Sequence, residues 1–347
     1  MNETFSTTPI TGKAGQGRRI SVAPMMALTD RHCRYFLRQI SRSCLLYTEM
    51  LATTALLHGD RERLLAYSPQ EHPLALQLGG SDPDELAACA RLAADYGYDE
   101  VNLNLGCPSS RVQQGGIGAC LMKQPSRVAS CLQAMQDAVS VPVTVKIRLG
   151  VSGRSSQQEL VDFVGCLANA GCQTFVVHAR IAILEGLSPQ ENRSVPPLEY
   201  ERVYQLKRSF PELEIILNGG VTDLDQAETH LREVDGVMLG RAAYYTPWVL
   251  SGVDERFFGQ PHQPDRHQVL ESMVSYANAY IASRDTHRLS HISRHMLGLF
   301  NGIAGARLFR RYLSERAHSR QATAELLLQA GELSRAGSTQ SYMSVSQ

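Results

Sequence analysis

The sequence has no long apolar run. None approaches the roughly 18 residues needed to cross a bilayer, so no membrane span is expected. It has no excess of either charge: 34 Lys and Arg stand against 34 Asp and Glu. That balance excludes a basic field over the whole molecule, and a nucleic acid would have to be held by a local patch. It has no Cys-x-x-Cys pair, and its eight cysteines are scattered. A zinc centre or disulfide framework is therefore disfavoured, and reduced thiols in a cytoplasm are the simpler reading. No His, Cys and carboxylate cluster has ligand spacing, so no metal is expected. The first 19 residues lack the apolar stretch of a secretory signal and read as a loose tail.

What is present is a globular composition, 43% hydrophobic and 20% charged over 347 residues. Short apolar β-rich runs recur at 20–24, 45–49, 74–78, 100–105, 143–147, 174–178, 214–217 and 236–239. Helical patterns lie between several of them, at 82–96, 127–138, 157–170 and 225–232. The first has Ser81 or Asp82 as its cap, Pro83 in its first turn and Gly97 as its stop. Val-Pro-Val-Thr-Val and Thr-Phe-Val-Val read as strands buried on both faces. Eight such units predict a (β/α)8 TIM barrel over residues 20–256. A doubly wound sheet is the alternative, but no Gly-x-Gly-x-x-Gly turn follows the first strand.

Beyond Trp248 the pattern changes. Residues 257–264 carry Gly and Pro turns, and from there to 336 only helical periodicity remains, so residues 257–336 predict a second, all-helical domain. Residues 337–347 read as a frayed Ser- and Gly-containing tail. Between 286 and 320 seven arginines face one acid, Glu315, a local excess of +6 hidden by the neutral total.

In a barrel the chemistry sits at the C-terminal strand ends. Those ends carry Pro24 and Met25, Glu49, Gln77, Asn104 with Cys107, Lys146 with Arg148, His178 with Arg180, Asn218-Gly219-Gly220, and Gly240-Arg241. The last two are paired after strands seven and eight, where barrels often bind phosphate through backbone N–H groups, and Arg241 adds a charge. Lys146 ends an otherwise apolar strand and needs an anionic partner: a reduced flavin, or a structural ion pair. Asn104 and Gln77 carry both donor and acceptor, suited either to a flavin's pyrimidine edge or to loop backbone. Cys107 lies in a Gly-Cys-Pro turn at a strand end, and a protonated thiol can act as a general acid. His178 could be an acid, a base or a phosphate ligand, and Arg180 two residues on favours an anion over a metal.

These residues together resemble one family. Ala23-Pro24-Met25 with Thr29-Asp30-Arg31-His32, Leu46-Tyr47-Thr48-Glu49-Met50, and Asn102 through Ser109 with its Asn-Leu-Gly-Cys-Pro-Ser core are similar to the tRNA-dihydrouridine synthases, A subfamily. So are His178-Ala179-Arg180, Gly186 through Arg193, Asn218-Gly219-Gly220 and the run Arg294 through Phe300. The resemblance implies an FMN enzyme that uses NADPH to reduce the C5=C6 bond of uridine at tRNA positions 20 and 20a. It implies FMN contacts from Pro24, Met25, Met26, Gln77, Lys146, His178, Asn218, Gly219, Gly220, Gly240 and Arg241, with Cys107 as the catalytic acid. It implies tRNA contacts from Asn104, Arg193 and the basic C-terminal helices; Arg148 and Arg180 are added as substrate-side cations, and Arg294, Arg307, Arg310 and Arg311 as phosphate contacts. Ala27 and Leu28 depart from the family's usual acidic and aromatic or basic pair, and Ile181 and Gln190 stand where it usually has lysine. Two other readings remain: a flavin barrel reducing a free pyrimidine or small enone, and a non-catalytic RNA-binding barrel. Oligomeric state is left open.

Overall fold

The computed structural model describes residues 17–344. Eight strands form one closed, all-parallel barrel in sequence order: β1 (Ile20–Val22), β2 (Leu45–Ala52), β3 (Leu74–Gly79), β4 (Glu100–Asn104), β5 (Val143–Arg148), β6 (Thr174–His178), β7 (Glu214–Asn218) and β8 (Gly236–Leu239). The expected TIM barrel is therefore the fold. β1 stops two residues earlier than its apolar run because Pro24 has no N–H to extend the ladder. β2 runs on to Ala52, and its pairing with β3 shifts between Tyr47 and Met50, an irregularity that re-aims the strand end.

The helices follow from their patterns. Pro83–Asp95 is capped by Asp82, whose side chain accepts from the Glu85 N–H. The structure adds the helix Arg31–Ile40 to those expected. Its buried face carries Cys33, Phe36, Leu37 and Ile40 at helical spacing, but also His32, Arg34 and Arg38, which dilute the apolar period. Arg34 is tied to Glu71 at 2.7 Å, and Arg38 donates to the carbonyls of Ser41, Cys44, Glu71 and Pro73.

After the barrel the helix Val253–Phe258 takes in the first two residues of the expected linker and ends at Gly259, φ +63°. The helices Arg266–Ser283, Ser290–Met296, Ala306–Arg316 and Leu326–Ser344 make a helical C-terminal portion. The last runs through positions read as a tail; they contain no proline, and Ser or Thr costs a helix only about 0.5 kcal/mol each. Among the described residues no helix is long and apolar enough to cross a membrane.

Most of the N-terminal tail expected over 1–19 lies outside the described residues. Arg18 corrects the remainder: it is 4% exposed and forms the floor of the barrel. Its guanidinium meets Glu100 and Glu214, each at 2.6 Å, and Glu100 also accepts from Tyr47 and Thr144. Burial opposes the Arg18 charge, but the two carboxylates outweigh it and hold the group above the usual arginine range. Two basic residues in a polar stretch gave no sign of this role, because the acids that receive Arg18 lie 82 and 196 residues away.

Candidate active site

The strand register gathers the predicted residues at one mouth. Asn104 pairs with Lys146 across β4 and β5, Arg148 with His178 across β5 and β6, and His178 with Asn218 across β6 and β7. A chain of hydrogen bonds runs down the barrel interior beneath them. The Asn104 amide nitrogen donates to Gln77 at 2.8 Å, Gln77 to Asn102 at 2.8 Å, Asn102 to Thr144 at 2.8 Å, and Thr144 to the Glu100 carboxylate at 2.5 Å. Gln77, 1% exposed, thus has its amide nitrogen committed to Asn102.

Cys107 is half-buried on the loop after β4. The Asn104 side-chain oxygen accepts the N–H groups of Gly106 (3.2 Å) and Cys107 (3.0 Å), and the Cys107 carbonyl accepts the Ala119 N–H at 2.9 Å. The loop is thus fastened on both sides of the thiol. Five other cysteines are buried, while Cys120 and Cys166 are only partly so. Burial pushes Cys89 and Cys131 up to about 11, as befits inert packing groups.

Lys146 donates to the Asn218 side-chain oxygen at 2.8 Å, and Asn218 donates in turn to the Met238 carbonyl at 2.8 Å. Burial first, and Arg148 second, lower the lysine to about 7, with Cys107 pulling the other way. His178 is held neutral by burial and then by Arg148, Lys146, Arg180 and Arg193. No ion pair to a carboxylate is formed by Lys146, Arg148, Arg180 or Arg193 among the described residues. Arg180 is 8% exposed, and its Nε is buried without a hydrogen-bond partner. Gly219 sits at φ +116°, where a Cβ would come within 2.6 Å of His178; Gly220 follows at φ +73°. Only glycine keeps this backbone against the imidazole. Buried cations without counter-charges and a bare glycine turn suit an anionic group such as a phosphate. The helix after Gly240, Arg241–Tyr245, has only five residues, so its dipole adds little and exposed Arg241 is the charge on that side.

Not every predicted residue faces the mouth in the same way. Pro24 and Met25 are half-buried there, and Met26 is 59% exposed. Arg148 is 3% exposed and donates to the carbonyls of Gly106 and Asn192, so it ties the loops after β4 and β6 together. Arg193, Arg307, Arg310 and Arg311 are exposed. Arg294 is not free: it reaches Asp30 at 2.5 Å.

Sequence reasoning assigned no role to Asn192, which is fully buried and bonds Ile183 through both ends of its amide. It also missed the role of Glu49, which accepts the N–H of Ala27 at 2.5 Å, and Ala27 itself, at φ +62°. The Asn192-Arg193 and Thr-Glu-Met motifs were the available signals; the partners, in other loops, were not.

Among known proteins, the family model "Dihydrouridine synthase (Dus)" matches residues 21–334. A protein of Pseudomonas syringae pv. tomato named tRNA-dihydrouridine(20/20a) synthase is 57% identical over 96% of this chain and 98% of its own length. One of the same name from Escherichia coli K12 is 54% identical over 91% of each chain. A solved structure, the old yellow enzyme homologue of Zymomonas mobilis, covers 71% of this chain and 90% of its own at a TM-score of 0.50 and 12% identity, a likeness of fold. A family match over nearly the whole barrel and helical portion, on relatives sharing more than half of their residues, makes this chain a member of the dihydrouridine synthase family.

Proposed function

We propose that the protein reduces the C5=C6 bond of uridine in the tRNA D-loop, at positions 20 and 20a, to 5,6-dihydrouridine, with FMN as cofactor and NADPH as reductant. The observation that carries this reading is a half-buried thiol fastened beside a group of buried cations that have no carboxylate partners. The names of the relatives support the substrate and the two positions.

Pro24, Met25 and Met26, Gln77, Lys146, His178 and Asn218 would hold FMN, with Gly219, Gly220, Gly240 and Arg241 around its phosphate; the unpartnered Nε of Arg180 fits the same charge. FMN, when bound, supplies the hydride that reaches C6 of the uracil. Cys107 holds the proton for C5. Its transfer leaves a thiolate, and Lys146 and Arg148 both lie near enough to feel that charge. Asn104 keeps the loop in place throughout by accepting both backbone N–H groups. The uridine must leave its stack to reach the thiol, at a cost of a few kcal/mol that is least in a loop. Exposed Arg193 and Arg307 are available to phosphates; Arg310 and Arg311 are exposed too, but a phosphate would have to compete with Asn301 and Glu315 for them.

The test is dihydrouridine formation by the purified protein from unmodified tRNA and from free uridine. Turnover on tRNA alone, falling steeply with salt as phosphate contacts require, is the expected outcome. Equal turnover on free uridine would favour a small-molecule reductase, and a protein without bound flavin would remove the redox reading.

Lys146 adds a pH signature. Burial brings its ammonium down to about 7 in the protein alone, whereas bound FMN, offering it ring acceptors, would favour the protonated form. Binding then takes up a proton above pH 7 and none below, so affinity falls as pH rises. The Kd for FMN, followed by quenching of flavin fluorescence, should rise between pH 7 and 9 by up to about tenfold per unit. It should stay flat in Lys146→Met.

A further inference from the structure

The motif Thr29-Asp30-Arg31-His32 has no part in the proposed chemistry, yet it is where the barrel meets the helical portion. Thr29 fastens the mouth loop: its hydroxyl oxygen accepts the Met25 N–H at 2.9 Å. One residue on, Asp30 divides its carboxylate between two tasks. Oδ1 accepts the N–H groups of His32 and Cys33, each at 3.0 Å, and so begins the helix Arg31–Ile40. Oδ2 accepts from Arg294 at 2.5 Å and lies 3.0 Å from His295 Nε2, groups 264 and 265 residues away. His32 adds a contact to the Tyr276 hydroxyl at 2.7 Å, and Tyr35 stacks on the Tyr276 ring at 4.0 Å.

The other motif left without a task, Arg294 through Phe300, lies along the same junction. A Cβ on Gly298 would come within 2.4 Å of the Tyr245 carbonyl, so the backbones touch there. That carbonyl accepts from Asn301 at 2.6 Å, and Asn301 accepts from Arg310 at 2.8 Å. A cleft of about 540 Å3 lined by His32, Tyr280, His291, Arg294 and His318 opens beside the Asp30 contact. The carboxylate that anchors the basic helices therefore lies only five positions along the chain from Met25, at the mouth.

We infer that Asp30 is a positioning residue: by gripping Arg294 and His295 it fixes the helical portion against the helix Arg31–Ile40 and so decides which uridine of the bound tRNA reaches Cys107. This rests on the proposed function. It also gives Arg294 a different task from the phosphate contact expected of it, and the two tasks predict opposite signs. If Arg294 binds phosphate, removing the neighbouring negative charge with Asp30→Asn tightens tRNA. If Arg294 is the anchored half of a clamp, Asp30→Asn weakens productive binding. Asparagine is as good a helix cap as aspartate, so the start of the helix is preserved.

The experiment measures dihydrouridine position by position in unmodified tRNA, together with NADPH oxidation by dissolved oxygen in the absence of tRNA, for Asp30→Asn, Arg294→Gln and the double variant. Wild-type protein that forms no dihydrouridine removes the functional reading itself and is scored first. The clamp predicts that each single variant loses about tenfold in kcat/KM for tRNA and that the double variant is no worse than either. It also predicts that the ratio of product at adjacent uridines shifts, while NADPH oxidation without tRNA is unchanged. Unchanged or tighter tRNA use by Asp30→Asn, an unshifted ratio of positions, or loss of the tRNA-free reaction would each overturn it.

Discussion

Replacing Cys107 with alanine should leave a yellow, folded protein whose turnover on tRNA is about 10²- to 10⁴-fold lower, the range that a positioned general acid contributes. The substitution is clean because the loop does not depend on the sulfur. Asn104 holds the backbone N–H groups of Gly106 and Cys107, and Ala119 holds the Cys107 carbonyl. Serine is the informative companion. It keeps a proton at nearly the same place but releases it far less readily, so it should fall close to alanine. FMN content by absorbance and dihydrouridine yield by nucleoside analysis check both halves. Full turnover in the alanine variant would take the proton-donor role away from Cys107.

The largest expected loss of stability lies at the other end of the barrel. Arg18→Met removes the cation from Glu100, whose side chain is fully buried, and from Glu214, which is partly exposed. Breaking a buried pair from one side leaves an uncompensated charge and costs about 3–5 kcal/mol. Thermal unfolding should move down by roughly 4–7 °C. Arg18→Met with Glu100→Gln should recover a good part of that, since the stranded charge is gone as well. A single variant as stable as the parent would mean that Tyr47 and Thr144 satisfy Glu100 unaided.

The barrel was legible because its strands are nearly continuous apolar runs: β6 and β8 begin and end where their sequences do. The residues at the strand ends were legible for the same reason, since locating the end of Val-Thr-Val-Lys-Ile-Arg locates Lys146 and Arg148. What stayed hidden was pairing at long range. Nothing near Arg18 announces two acids a barrel's width of sequence away, and nothing near Arg294 announces Asp30. A local basic excess reads the same whether an arginine faces solvent, as Arg307 does, or is held by a carboxylate, as Arg294 is. Arg34 and Arg38 show the converse, being charged residues on the buried face of a helix whose periodicity they conceal.

The hydrogen-bonded column inside the barrel also has a direction. Its lower end is the Glu100 carboxylate, whose oxygens accept from Arg18, Tyr47 and Thr144; its upper end is two backbone N–H groups, which can only donate. Every amide between them is therefore oriented with nitrogen downward and oxygen upward, and none can turn over alone without setting two donors or two acceptors face to face. A carboxylate at the far end of the barrel thereby dictates which atom of Asn104 is offered to the reactive loop, and the polarity of the mouth is set from below.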